Sequence, residues 1–518
     1  MTSETPETMR FDLLRTGAAD GVGARLGRLV FSGGRTIETP NFFAITSRGA
    51  VPHITPDNLS KHVPVQGTYV ALEDCKCSCI VSLPHGITNV FPPVIERSQA
   101  NPTRTPPIYK TPATPSRPRP LHNFTITPPS TLTVLAARRL PAVASPQGNS
   151  TAGISVFTST GFQNLSTTDY QTAVSILKPD MAIPLADLTN TTSTPNSKRA
   201  TRMADRTEDW LEQWFSSPQP PGPETAIFAP TLPIPYALQW EYLTRLSSDF
   251  ASSISGLAVY SSDIIPDLAN HPDLAPKPRL SLDPPATPHH ILRQIAIGAD
   301  VFLLPFLNTI SDSGVALTFS FPPPRPSPQT SAPSGGTSLL PLGKDLSDPS
   351  FAFSVAPLRE GCGCYTCTAH HAAYVHHLLS AREMLGWTLL QIHNHHTLSD
   401  FFSGVRASLA SGTFAEDSAR FQTAYEGEVP AGTGERPRAR GYHFKSEGAG
   451  EPKRNKKAWD AKLGGDEGEG LEGGVEGLKI GEVERRLERD LTETPVVPEG
   501  DGAELEREGF AEVDGKNV

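Results

Sequence analysis

The residues best placed to do chemistry sit together in Gly361-Cys362-Gly363-Cys364-Tyr365-Thr366-Cys367. Cys-x-Cys and Cys-x-x-Cys spacings both bring sulfurs close in a tight loop, so three thiolates can close on one ion. A tetrahedral zinc needs a fourth ligand. His370, His371, His376, His377, His393, His395 and His396 are the candidates. Ala369–Leu385 reads as a helix with Ala373, Val375, Leu378, Leu379 and Met384 as its apolar positions, and it would carry its own histidines away from the loop. After Gly386, Trp387–Ile392 reads as a strand running back antiparallel, which delivers His393. The expected site is one zinc ion held by Cys362, Cys364, Cys367 and His393. Four protein ligands leave no position for water, so such an ion is structural and contributes to folding.

Cys75-Lys76-Cys77-Ser78-Cys79 has three cysteines but no second ligand pair at a strong spacing; His62 and His85 flank it at odd distances. It reads as free thiols on a strand or its edge, with metal binding as the alternative. Six cysteines in 518 residues are not a disulfide framework. No run of about 18 apolar residues and no signal-peptide core is evident. A reduced, soluble intracellular protein is expected.

The elements that must position the cluster alternate short apolar strands with helical patterns. Strands are expected at Ile154–Thr158, Met181–Leu185, Thr225–Ala229, Gly256–Tyr260, Asp300–Pro305 and Val315–Phe321, and helices at Thr207–Phe215, Tyr236–Ser247 and Pro288–Ile297. Thr55-Pro56-Asp57-Asn58 resembles a helix start. Repeated strand–helix units imply a parallel sheet with right-handed crossovers, and their number favours an α/β (β/α)8 TIM barrel, with the zinc segment 361–396 inserted near its C-terminal end.

Composition divides the chain. Proline is 51 of 518 residues, about twice the usual ~5%. Residues 1–95 read as the first part of the barrel domain, 96–150 as a Pro-rich disordered insertion, 151–428 as the barrel continued and 429–518 as a disordered tail. A second Pro/Ser/Gly insertion is expected from Pro322 to about Pro341. Arg436–Lys462 has nine Lys or Arg against three acids, and 466–518 has seventeen acids against six bases, so this last segment, with eleven more acids than bases, carries the acidity and the rest of the chain is close to neutral beside the net charge of −10.

Cys-x-Cys-x-x-Cys followed by His393-Asn394 resembles the zinc site of the tRNA-guanine transglycosylases. Gly27-Arg28-Leu29, Ile37–Phe42, Ser47-Arg48-Gly49, Leu177-Lys178-Pro179-Asp180 and Gly298–Phe302 are also similar to segments of that family. The likeness spans roughly 9–95 and 152–425. It implies a TIM barrel, one structural zinc per subunit, and exchange of guanine for a queuine-type base at the tRNA wobble position.

The same likeness implies that this chain lacks the chemistry. Exchange at a glycosidic carbon needs an aspartate nucleophile and a second carboxylate for proton transfer. The family's nucleophile falls three residues after the position matched by Asp300, and here that residue is Leu303. The string nearest to the second aspartate's segment, Thr158–Gln163, has no acid. The base-binding loop appears only as Ser255-Gly256-Leu257-Ala258. Asp187 is near the family's base-recognising aspartate, although an N-cap or turn role suits it equally, and Asp283 and Asp312 read as turn residues. No catalytic residue is therefore assigned.

Gly314–Phe321 is similar to the family's non-catalytic members. The resemblance then implies a cytoplasmic heterodimer with a catalytic subunit, the zinc segment contributing to the interface and the pair holding one tRNA, and it allows peripheral association with the mitochondrial outer membrane. Two alternatives remain open: an active transglycosylase with displaced carboxylates, Asp300 serving as nucleophile, and a zinc-stabilised RNA-binding protein.

Overall fold

The computed structural model describes residues 8–17, 23–75, 107–145, 148–158, 161–189, 194–217, 222, 224–324 and 339–437. Eight parallel strands close into a barrel. In chain order they are β4 (Asn41–Ile45), β5 (Gly67–Ala71), β6 (Leu132–Ala136), β9 (Met181–Ala182), β10 (Ala226–Thr231), β11 (Gly256–Val259), β12 (Arg279–Ser281) and β13 (Val301–Leu303), with β13 pairing back onto β4. Ahead of them, β1 (Met9–Thr16), β2 (Arg25–Phe31) and β3 (Thr36–Thr39) form an antiparallel sheet. β7 (Ile154–Thr158) and β8 (Gly161–Leu165) make a hairpin outside the barrel, and β14 (Val315–Leu317) pairs with β15 (Gly343–Asp345) beyond it.

Strand alternation sorts the barrel side chains. Phe43 and Ile45 of β4, with Val301 and Leu303 of β13, join Val134, Phe228 and Leu280 in one buried interior cluster. Phe42, Ala44 and Phe302 point the other way, into the layer between strands and helices. Met9, Leu29, Phe31 and Ile37 of the antiparallel sheet pack on the interior cluster. They do so at the N-terminal end of the barrel strands, where the Asn41 amide donates to the Asp300 carbonyl.

Thirteen helices lie among the described residues: α1 (Pro56–His62), α2 (Leu72–Cys75), α3 (Pro107–Lys110), α4 (Pro120–Thr125), α5 (Thr167–Leu177), α6 (Ser197–Phe215), α7 (Trp240–Ser248), α8 (Pro288–Ala296), α9 (Pro305–Asp312), α10 (Tyr365–Ala369), α11 (Ala372–Ser380), α12 (Met384–Ser411) and α13 (Phe414–Ala424). Thr55 is the N-cap of α1 with Pro56 next to it, as its sequence suggests.

Three expectations are corrected here. The stretch 96–150 is not simply an insertion, because it contributes β6, a fully buried barrel strand, together with α3 and α4. Leu132-Thr133-Val134-Leu135-Ala136 is apolar or β-branched throughout, but prolines on either side dominate the local composition. Second, Trp387–Ile392 is not a strand; it is the start of the 28-residue α12. The apolar series Trp387, Leu390, Leu398, Phe401, Val405 and Leu409 continues at helical spacing through the histidines. The helix expected over Ala369–Leu385 is also divided, ending α10 at Ala369 and α11 at Ser380.

Chain contacts separate Met1–Glu451 from a second unit, Pro452–Val518. The tail beyond residue 437, residues 325–338 of the second Pro-rich stretch, and Cys77 and Cys79 lie outside the described residues. No described helix is long and apolar enough to cross a membrane.

Candidate metal centre and barrel mouth

Cys364 caps α10, its Sγ accepting from the Cys367 amide, so cap and helix together turn both sulfurs to one side. Cys362 lies in the preceding loop. The fourth donor arrives from α12, which crosses α10 and is fastened to it where Thr366 Oγ1 donates to the Leu389 carbonyl at 2.7 Å. His393 is thus a mid-helix residue, brought in by a different helix from the one that follows the cysteines. The Sγ atoms of Cys362, Cys364 and Cys367 lie 3.8, 3.5 and 3.3 Å from His393 Nδ1. All four donor atoms fall within 4.8 Å of one another, so the cluster could hold a metal ion.

The surroundings orient the histidine. Its Nε2 donates to the Leu317 carbonyl of β14 at 2.8 Å, which leaves Nδ1 as the lone-pair nitrogen facing the sulfurs. Asn394 makes three bonds to the same region. Its Oδ1 accepts from the Leu317 amide at 2.8 Å, and its Nδ2 donates to Ser311 Oγ and to the Val315 carbonyl, each at 2.9 Å. Sequence reasoning noted Asn394 beside His393 but gave it no role. With no cation, contact with Cys362 and Cys367 and then burial push the Cys364 thiol up. Three thiolates cannot share this space without a positive ion to offset their repulsion. Cys75 is separate: it lies buried on α2, and burial pushes its thiol up to about 12.

The other place to look for chemistry is the C-terminal end of the barrel strands, where side chains of TIM-barrel enzymes act. Leu303 is the last residue of β13 and is buried in the barrel interior. Asp300 precedes β13 at the opposite end. It is buried, with Arg25 bonding both of its oxygens and the Arg279 amide donating to Oδ2 at 2.8 Å. Thr158 and Gly161 belong to the β7–β8 hairpin rather than to the end of a barrel strand. Gly256-Leu257-Ala258 lie inside β11, buried, instead of forming a loop.

Asp187, beyond β9, is fully buried and bonded by its own chain. Arg199 donates to it from both terminal nitrogens at 3.0 and 2.6 Å, Arg206 Nη1 at 3.1 Å and Asn149 Nδ2 at 2.7 Å. Both oxygens of the carboxylate are thereby taken. Asp283 accepts from the Ser262 amide and hydroxyl, and Asp312 ends α9 against His53 Nε2 at 2.6 Å. After β6 come Arg138 and Arg139. Arg139 is paired with Glu73 and Asp74 at 3.1 Å each, in a segment whose sequence suggested no element.

The family model for queuine tRNA-ribosyltransferase matches residues 97–427. A queuine tRNA-ribosyltransferase accessory subunit 2 from Schizosaccharomyces pombe is 35% identical over 448 residues, covering 84% of this chain and 89% of that protein. Proteins of the same name from Culex quinquefasciatus and Anopheles gambiae are each 30% identical over about half of this chain. Those matches cover 63% and 62% of the mosquito proteins.

Proposed function

The chain belongs to the queuine tRNA-ribosyltransferase family, and from that premise we propose that it is a non-catalytic accessory subunit. It pairs with a catalytic subunit that carries the aspartates. The pair exchanges guanine for queuine at the wobble position of tRNAs with GUN anticodons, in the cytoplasm. The observation that carries this reading is Leu303. An aliphatic side chain closes the barrel interior at the strand end where the family resemblance expects the nucleophile, and it can neither attack a sugar carbon nor stabilise positive charge there. The names of the relatives point the same way. Asp300 as a displaced nucleophile is opposed by its place at the far end of the barrel and by the Arg25 pair that holds both its oxygens.

Cys362, Cys364, Cys367 and His393 would hold one structural zinc. Zn–S near 2.3 Å and Zn–N near 2.0–2.1 Å in a tetrahedron put sulfur and nitrogen about 3.5 Å apart. The observed separations of 3.3 to 3.8 Å bracket that value. The zinc would fasten α10 to α12, and the surface of this segment would face the catalytic subunit. Phe353 and Val355, 93% and 80% exposed, support that role. Their loop is held against the start of α11, where the Ala373 amide donates to the Ser354 carbonyl at 2.8 Å.

The test is exchange of labelled guanine into tRNA by the purified chain, by a catalytic subunit, and by the two mixed. Exchange is expected only when the catalytic subunit is present, with this chain raising it. Exchange by this chain alone would overturn the reading.

A further inference from the structure

Three arginines converge above the C-terminal ends of β6 and β9. Arg138 Nη2 donates to Asn149 Oδ1 at 2.8 Å. Arg206 Nη1 donates to the Asn149 carbonyl at 2.9 Å and to Asp187 Oδ2 at 3.1 Å. Arg199 takes Asp187 with both terminal nitrogens. Asn149 closes the group by donating to Asp187 Oδ1 at 2.7 Å. Two guanidiniums therefore share one carboxylate, and the third, Arg138, reaches it only through Asn149.

This arrangement is unbalanced in charge and in hydrogen bonding. Among the described residues Arg138 has no carboxylate paired with it. Glu73 is near, but its oxygens are committed to Arg139 and to the Phe157 amide. With the Glu73–Asp74–Arg139 group counted, the mouth still holds one excess positive charge; without it, two. Arg138 Nε and Arg206 Nε are buried with no hydrogen-bond partner. A guanidinium offers five donors, and buried donors left unmade are costly.

The helix adds to the imbalance. Arg199 lies in the first turn of the 19-residue α6, which has no acidic residue there. The positive end of a helix dipole disfavours a cation and favours an anion. The site is also reachable, since the side chains of Arg199 and Arg206 are 25% and 16% exposed.

We propose that Arg138, Arg199 and Arg206, gathered around Asn149 and Asp187, form a binding site for a phosphate group. Phosphate offers several acceptor oxygens, at about −1.5 to −2 charge near neutral pH in a monoester and about −1 in an RNA backbone, which suits planar guanidinium donors. The phosphate comes either from an RNA backbone or from a free phosphate ester. The site needs no catalytic partner, so its failure would leave the accessory-subunit reading untouched.

The experiment is titration of inorganic phosphate into the full chain by calorimetry at constant ionic strength. The expected result is saturable uptake of one phosphate per chain. Arg138→Gln should weaken it about tenfold or more and Arg138→Lys by less, because charge survives while the fork is lost. The melting temperature of each variant without phosphate checks its fold. Should Arg138→Gln fail to fold, Arg138→Lys and the wild-type titration still decide. Displacement of phosphate by tRNA identifies an RNA backbone as the source. Displacement by a nucleoside 5′-monophosphate but not by tRNA identifies a free ester. No saturable uptake by the wild-type chain, or equal uptake by a folded Arg138→Gln chain, would overturn the proposal.

Discussion

His393 is held by the Leu317 carbonyl, 2.8 Å from Nε2, so that Nδ1 faces the three sulfurs. The bond orients the ring so that Nδ1 is the nitrogen a metal would meet. The first prediction concerns the ion itself. Purified chain should contain one zinc per molecule by elemental analysis. Cys364→Ser should lose it and melt several degrees lower, because metal-binding free energy is part of folding free energy at a closed site. Chelation of the wild-type chain should reproduce the shift. A zinc-free wild-type chain with the same melting point would refute a structural ion.

Asn394 supplies a second prediction. Its three bonds tie α12 to β14 and to Ser311 at the end of α9, all within the core. Asn394→Ala leaves the Leu317 amide and the Val315 carbonyl without that partner, at about 1–3 kcal/mol for each buried group left unpaired. Denaturant unfolding should show a loss of about 2–4 kcal/mol in all. Zinc affinity should fall about 10–100-fold, since the same strand positions His393. Unchanged zinc affinity in a folded variant would separate Asn394 from the metal centre.

The cysteine–histidine cluster was legible because its evidence is local: three cysteines within six residues meet whatever the fold does around them. The route to His393 was not. Trp387–Ile392 carries bulky and β-branched residues after a glycine, which imitates a strand, and only the apolar series running on to Leu409 marks a helix. β6 was hidden by its proline-rich neighbours, and β12, three residues long, is too short for any periodicity. Leu303 takes its meaning only from the family resemblance, and only the barrel shows Asp300 three residues earlier at the other end of the strand. The arginine cluster drew Arg138 and Asn149 from a stretch taken for an insertion, so nothing in the chain order announced it.

The Arg25–Asp300 pair gives the third prediction. Both side chains are buried, and Asp300 also accepts from the Arg279 amide. Asp300→Ala strands a buried guanidinium, which costs about 3–5 kcal/mol. Chemical denaturation should show that loss. At a temperature where the variant remains folded, exchange by the reconstituted pair should be unaltered per folded molecule. Normal stability with abolished exchange would instead make Asp300 a nucleophile.

The last prediction tests the proposed docking surface beside the cysteine–histidine cluster. Phe353 and Val355 are the most exposed large apolar side chains among the described residues. Exposed apolar groups on a fixed loop gain from burial against a partner, by about 1.5–3 kcal/mol for a fully covered side chain. Phe353→Ser and Val355→Ser should therefore weaken binding to a catalytic subunit, each by about tenfold or more, while the melting point of the free chain stays put. Because the loop bonds to the start of α11 through its backbone, neither substitution removes those contacts or touches the cysteines. Titration of the two subunits by calorimetry measures the affinity, and elemental analysis confirms that zinc is retained. Full affinity in both variants would place the partner elsewhere on the barrel. Cys364→Ser then separates the two roles of the segment. Loss of zinc together with the heterodimer means the ion shapes the docking surface, whereas loss of zinc with an intact heterodimer confines it to holding α10 and α12.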